Sequence, residues 1–176
     1  MPNLEATERL IFRADQRDPK TIFKDGFKPR FDGGIHITAG GQMTGGVSTS
    51  KDLGVAMRYA ANYSAAMEEA KMKERCWVYA AWAEKGVDVI HYLTEKWGLK
   101  GKQLDNAISQ MEIACEKIPG KHIIAARKAR LKGNLCELYD DLVENRAAKV
   151  SEATRLLAIA FLNSGVTVSK DYEPGK

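Results

Sequence analysis

Apolar positions recur along this chain with two different periods, and the switches between them lay out its elements. From Thr7 to Asp15, Leu10, Phe12 and Ala14 alternate with Ile11, Arg13 and Asp15, a period of two that predicts a strand. Lys20 to Asp25 reads as one helical turn ended by Gly26. Gly33 to Gly46 carries glycine pairs at 33–34, 40–41 and 45–46, which predicts a long irregular loop with a short strand at Ile35 to Thr38. Val47 to Ser50 predicts a strand, and the Ser50 hydroxyl is expected to cap the helix that follows. In that helix Ala56, Tyr59, Ala60, Tyr63, Met67 and Ala70 recur at three- and four-residue spacing, giving an apolar face that reaches about Lys73.

Further on, Trp77 to Trp82 reads as a buried strand, which Asp88 to Tyr92 extends or follows. Lys102 to Cys115 fits both periods. Leu104, Ala107, Ile108 and Met111 suit a helix, whereas Gln110, Glu112 and Ala114 suit one side of a strand. Pro119-Gly120 marks a turn, His122 to Ala129 a strand, and Leu138 to Lys149 a helix. Ser151 to Leu162 predicts another helix, starting at Ser151 and Glu152, and Gly165 to Ser169 a last strand before a loose tail, Tyr172 to Lys176. Strands interleaved unevenly with helices point to an α+β fold, with residues 1–176 forming one domain.

Composition narrows the class without naming a function. With 44% apolar and 28% charged residues the chain resembles a soluble globular protein. Its longest apolar run, Leu156 to Leu162, is too short to cross a bilayer, so no membrane partner is expected. Met1 to Leu10 lacks a basic start followed by an apolar stretch, so no secretory signal is expected. Cys76, Cys115 and Cys136 are odd in number and irregular in spacing, which argues against disulfides and a structural zinc site and for buried thiols in a reducing cytoplasm. Trp77, Trp82 and Trp97 are read as core, and His91 and His122 as structural. The net charge of +4 is mildly basic, and its densest run holds Arg127, Lys128, Arg130 and Lys132. A solvated face accounts for such a run; attraction to a phosphate-bearing partner is the alternative.

Three segments carry candidate chemistry. Arg13 and Asp15 project from one face of a strand. They form either a local ion pair or a guanidinium fork for an anion such as a pyrophosphate, held by the carboxylate. In Val47-Ser48-Thr49-Ser50 the two serines share a face, where they can pair at a strand end or fix a carboxylate on a neighbouring strand. In Gln110-Met111-Glu112 the amide and carboxylate face the same way if the backbone is extended.

The order of these segments resembles the ADP-ribosyltransferase toxins of the cholera and pertussis group, the R-S-E class, whose signature is an Arg, an S-T-S strand and a catalytic Glu. Phe12-Arg13-Ala14-Asp15-x-Arg17-x-Pro19, followed by Gly26-Phe27, is similar to their aromatic-R-x-D-x-R-x-P segment with its turn and G-F. His36 lies between the Arg and S-T-S segments, as an active-site His does there. Gly46-Val47-Ser48-Thr49-Ser50 matches their (F/Y)-V-S-T-S apart from Gly46, and Gln110-x-Glu112 is followed by Pro119. The resemblance covers about residues 10 to 125 and gives no guide to the rest.

It implies an ADP-ribosyltransferase fold, two packed, roughly perpendicular small β-sheets around an NAD cleft with flanking helices. It also implies NAD as substrate, with no metal. Glu112 would hold the nicotinamide-ribose 2′-hydroxyl and stabilise the positive charge that develops as the glycosidic bond breaks. Ser48 would hold Glu112, Arg13 would bind a phosphate or ribose, Asp15 would orient the arginines, and Arg17 would add a phosphate contact. Ala14, Thr49 and Ser50 complete the implied NAD-binding set, Gln110 would face the acceptor, and His36 would lie near ribose or acceptor. Family members that modify arginine usually carry Glu where Gln110 stands, and an amide cannot hold a guanidinium as a carboxylate does. A protein acceptor in a host or rival cell is expected. Without a leader or an activation loop flanked by cysteines, the resemblance implies a toxin made in the bacterial cytoplasm and delivered as an effector. The alternatives are an NAD glycohydrolase, transfer to nucleic acid through Arg127, Lys128 and Arg130, and a non-catalytic NAD-binding module.

Overall fold

A computed structural model describes residues 10–31 and 33–175. The α+β class stands: strands pair in two antiparallel sheets, of eight and two strands, flanked by helices. Strand β1 (Leu10–Asp15) is followed by α1 (Pro19–Asp25), the hairpin β2 (His36–Ile37) and β3 (Met43–Thr44), then β4 (Val47–Ser50) and α2 (Leu53–Glu69). β5 (Trp77–Trp82), β6 (Val87–Asp88), α3 (Val89–Trp97), α4 (Asp105–Gln110) and β7 (Glu112–Cys115) come next. The chain continues through β8 (Ile123–Lys132), β9 (Leu135–Glu144), α5 (Glu152–Leu162) and β10 (Val168–Ser169). The large sheet runs β10-β9-β8-β5-β1-β4-β7-β6, and β2 pairs with β3 alone. The expected residues Thr7 to Arg9 of the first strand lie outside the described residues.

The alternation in β1 sorts its side chains between two cores. Leu10 and Phe12 pack under α2 and α5 with Met57, Val78, Ile124 and Leu162. Ile11 packs on the opposite face with Ile22, Phe27, Tyr79 and Ile123. A third cluster seats α3 through Val89 and Leu93 against Ala114 of β7 and Ala107 of α4. These three packings hold β1, β4 and β7 side by side, which is what positions the site.

Several expectations are corrected. Leu138 to Lys149 is not a helix: Leu135–Glu144 is a strand, and Gly133, at φ 62, turns β8 into it. In the resulting ladder Arg130 faces Glu137 and Lys132 faces Leu135, while Cys136, Leu138 and Leu142 reach the core. The Gly-Asn turn outweighs the helix-compatible spacing of the leucines. Asp88 to Tyr92 does not continue β5; Asp88 caps α3 by accepting from the His91 N–H. Ser50 does not cap α2, because Asp52 does, accepting from the Val55 N–H.

Helix α2 ends at Glu69, before the expected Lys73, and its buried stripe is Leu53, Ala56, Met57, Ala60, Ala61 and Ser64. Tyr59 is left half exposed. The ambiguous segment resolves into both periods, α4 and then β7, joined at Met111 in the left-handed region. The tail is not loose: the Tyr172 hydroxyl donates to Asp52 Oδ2 at 2.9 Å, and Arg58 donates to the Tyr172 carbonyl at 2.6 Å. Trp97 is exposed rather than core. The three cysteines are buried free thiols, as expected.

Candidate active site

Arg13, Ser48, Thr49, Ser50 and Gln110 meet at one cleft of about 810 Å³, together with Ala14. The register explains why a cleft opens there. β1 pairs with β5 along its whole length, from Leu10↔Trp82 to Asp15↔Trp77, but with β4 only at Phe12↔Ser50. Past that pair β1 and β4 diverge. Lys51 N–H donates to the Met111 carbonyl, so the backbone groups of Ser48 and Ser50, out of phase with it, point away from β7 toward β1. The Ser50 groups meet Phe12, whose phase Ala14 shares, so the Ala14 N–H and C=O point into the gap.

The Ser48 carbonyl faces the same gap and is met by a side chain: Arg13 Nη1 donates to it at 2.6 Å. The Arg13 guanidinium also lies 5.3 Å from the Phe27 ring centroid. Its Nε is buried and, among the described residues, without a hydrogen-bond partner; Asp15 Oδ2 stands 3.7 Å away. Burial disfavours the Arg13 charge, Asp15 favours it, and Arg17 and Arg30 disfavour it again, so its pKa falls below the ordinary arginine value. A guanidinium with an idle buried donor and too little counter-charge suits an anion.

Asp15 serves Arg17 rather than Arg13. It accepts from Arg17 Nε at 2.9 Å and Nη2 at 2.7 Å, a bidentate pair, and from the Arg17 N–H at 3.0 Å. Burial alone would raise the Asp15 pKa, but these bonds and the charge of Arg17 bring it below the usual carboxylate value. Tyr79 fixes the turn from beneath by donating to the Arg17 carbonyl at 2.6 Å.

On the other wall, Ser50 lies opposite Glu112 and Ser48 opposite Ala114, which makes Ser48 and Glu112 diagonal neighbours on one face. Ser48 Oγ donates to Glu112 Oε1 at 2.6 Å. Glu112 keeps 9% of its surface open; it stands behind Ser48 rather than lining the cleft wall. Burial raises its pKa above the ordinary glutamate value, and the Ser48 hydrogen bond partly offsets this. Thr49, on the opposite face, donates to the Ile113 carbonyl at 2.7 Å, and Ser50 donates to the Gln110 carbonyl at 2.7 Å, tying the strand to the end of α4. Met111 sits between them at φ 44 and ψ 46, a left-handed conformation that costs a non-glycine residue about 1–2 kcal/mol. It swings the chain from helix to strand so that Glu112 enters the ladder.

His36 is not brought to this cleft. It is exposed on the β2–β3 hairpin, with Nε2 2.9 Å from the Gly33 carbonyl. Three of the four basic residues on β8 are engaged within the protein. Arg130 pairs with Glu137 at 2.7 Å and Lys128 with Asp140 at 2.9 Å, while Arg127 donates to the Asp140 and Leu162 carbonyls.

Among the cleft residues that sequence reasoning missed are Gln16, Tyr59 and Tyr63. The tyrosines lie one turn apart on α2, and the signal for them was a pair of amphipathic rings directly after the S-T-S strand, which the apolar periodicity absorbed. Cys76 also lines the cleft, but burial pushes its thiol up to about 12, so it is no nucleophile at neutral pH. Among the described residues no cluster of three or more His, Cys, Asp or Glu side chains is placed to hold a metal ion.

No family model matches the sequence, and no curated protein matches it. Solved structures do resemble the fold. The chain is similar to EcPltA, at 17% identity and TM-score 0.58, over 82% of this chain and 90% of that one. It is similar to a guanine-specific ADP-ribosyltransferase at 20% identity and TM-score 0.52, over 84% and 82% of the two chains. It also resembles the full-length CARDS toxin, at 13% identity and TM-score 0.53, where 82% of this chain spans 30% of that one. At these identities the likeness is one of fold, and the fold is that of ADP-ribosyltransferases.

Proposed function

We propose that this chain is a mono-ADP-ribosyltransferase that cleaves NAD at the nicotinamide–ribose bond and passes ADP-ribose to a protein of a target cell, acting as a toxin or effector. The observation that carries the reading is the half-buried hydrogen bond of Ser48 Oγ to Glu112 Oε1, 2.6 Å long, beside Arg13, whose Nη1 donates to the Ser48 carbonyl and whose Nε is idle. The ADP-ribosyltransferase fold supports the same reading.

The cleft's chemistry suits NAD as substrate. Arg13 meets the pyrophosphate, with the Arg17 pair of Asp15 beside it. The Ala14 N–H and C=O offer one donor and one acceptor to the nicotinamide carboxamide, and the aromatic side chains of Tyr59 and Tyr63 line the cleft where the flat cationic ring would lie. Glu112 receives the ribose 2′-hydroxyl. As the glycosidic bond breaks, its electron pair leaves with nicotinamide, which departs neutral, and positive charge grows on the ribose. A fixed carboxylate in a partly dry site stabilises that charge far better than one in water. The acceptor's nucleophile forms the new bond and gives up one proton. Gln110, half-buried at the cleft edge, faces it. An amide there favours an acceptor other than arginine.

A second reading, transfer to a nucleobase, has its own support. Around the exposed Trp97 stand Lys96, Lys100 and Lys102, all exposed and, among the described residues, without a salt bridge. They lie on the segment that leads into α4 and Gln110, and lysines beside a free ring suit single-stranded nucleic acid. A fold neighbour is named for guanine specificity.

Incubation with biotinylated NAD and cell extract, followed by mass spectrometry, tests the proposal. Label on protein is the expected result, label removed by nuclease selects the second reading, and NAD consumed without label anywhere overturns both in favour of a glycohydrolase.

A further inference from the structure

Two adjoining cavities, of about 690 and 810 Å³, share Trp82, Glu84 and His122 and have no lining residue in common with the transfer cleft. They lie where β5 ends at Trp82, where β7 has ended at Cys115, and where α5 begins. Here we infer that the junction is a second ligand site, for a phosphorylated nucleoside.

The His122 ring is the first ground. Its side chain is nine-tenths buried, yet among the described residues it makes no hydrogen bond. The nearest charged atom, Glu84 Oε1, is 3.6 Å away, beyond hydrogen-bond distance. The ring lines both cavities. Among the described residues Arg13 Nε is the one fully buried side-chain polar atom without a hydrogen bond, so the His122 nitrogens are open to the cavities, where a ligand can meet them.

His122 is also held rigidly. Its N–H donates to the Pro119 carbonyl at 2.9 Å. Buried Asn145 donates to the carbonyls on either side, Gly120 at 3.0 Å and Ile123 at 2.8 Å. The Lys149 N–H donates to the Lys121 carbonyl at 2.7 Å. These four bonds fix the backbone that carries the ring, so its place at the cavities is set by the fold.

Charge and shape then name the ligand class. Lys85, Lys117 and Lys121 line one cavity and Lys149 the other, against the carboxylates of Glu84 and Glu116. Among the described residues none of these four lysines is in a salt bridge. The start of α5, with Ser151 and Thr154 in the wall, adds the positive end of a helix dipole. Trp82 lines both cavities and brings an indole there with which a base can stack. A phosphate among the lysines and His122, with a ring on Trp82, uses every one of these features.

Calorimetric titration of adenosine 5′-monophosphate into the full chain tests this. Saturable one-to-one binding is expected, with adenosine at least about tenfold weaker because it lacks the charged contacts. Binding should weaken about tenfold or more in His122→Ala and in Lys149→Glu, and Trp82→Phe should remove any fluorescence change. Lys149 is exposed, so that variant reports even if His122→Ala does not fold. Arg13→Ala, in the transfer cleft, should leave this affinity unchanged. Absence of saturable binding, or binding lost in Arg13→Ala and kept in Lys149→Glu, would overturn the site.

Discussion

Burial disfavours the charges of both Glu112 and Arg13, and each effect can be measured. Burial raises the Glu112 pKa, so the folded state binds this proton more tightly than the unfolded state does. Stability contributed by the group therefore falls as pH rises from the ordinary glutamate value through the raised one. Glu112→Gln should keep the neutral-pH melting temperature equal to or above that of the parent, by calorimetry, although it removes the reactive carboxylate. Catalysis needs the ionised form, so the acid limb of kcat against pH should lie above the ordinary glutamate value. Ser48→Ala, which loses the bond favouring ionisation, should move that limb higher still. For Arg13, replacement by Ala removes an under-compensated cation. NAD affinity should fall about tenfold or more, the equivalent of roughly 1.5–3 kcal/mol for hydrogen bonds to a charged group. Titration calorimetry reads it directly. The meeting of Arg13, Ser48 and Glu112 in space was legible in the sequence only through the order of the three motifs taken together with the family resemblance. The exchange of partners between Arg13 and Arg17 at Asp15 was not, since strand alternation puts Arg13 and Asp15 on one face but says nothing of a turn that folds Arg17 back.

Elements were legible where a single period dominated. β4 and β5 fall on their expected bounds, and α5 starts at its predicted Ser151 cap. The failures share a cause: a local feature outvoted the average. A glycine turn after Lys132 made a strand of leucines that also fit a helix. One left-handed residue, Met111, let six helical residues and a strand coexist where periodicity could only report conflict. Buried Asn145 had no signal at all, because its work is to satisfy carbonyls distant in sequence at Gly120 and Ile123. Asn145→Ala should strand both and destabilise the fold by about 2–4 kcal/mol, measured by urea denaturation. A loss under about 0.5 kcal/mol would mean that water takes over those bonds.

Across the whole molecule, the residues beyond the family resemblance close onto the part that carries it. The tail lays Tyr172 over Gly54, where any β-carbon would strike the ring, and bonds it to Asp52 and Arg58 at the start of α2. That helix holds Tyr59 and Tyr63 at the cleft. Deleting residues 171–176 should therefore lower stability by about 2–3 kcal/mol, the scale of one buried aromatic side chain. It should also raise KM for NAD, a second readout that a merely frayed terminus would not change.

One carboxylate, Glu112, carries the proposed chemistry. Nicotinamide release and transfer of labelled ADP-ribose should be followed side by side for the parent and Glu112→Gln, with circular dichroism to verify the fold of each. The parent should do both, and the variant should lose at least about 100-fold in each while remaining folded. Undiminished turnover in a folded Glu112→Gln protein would contradict the assignment of this cleft.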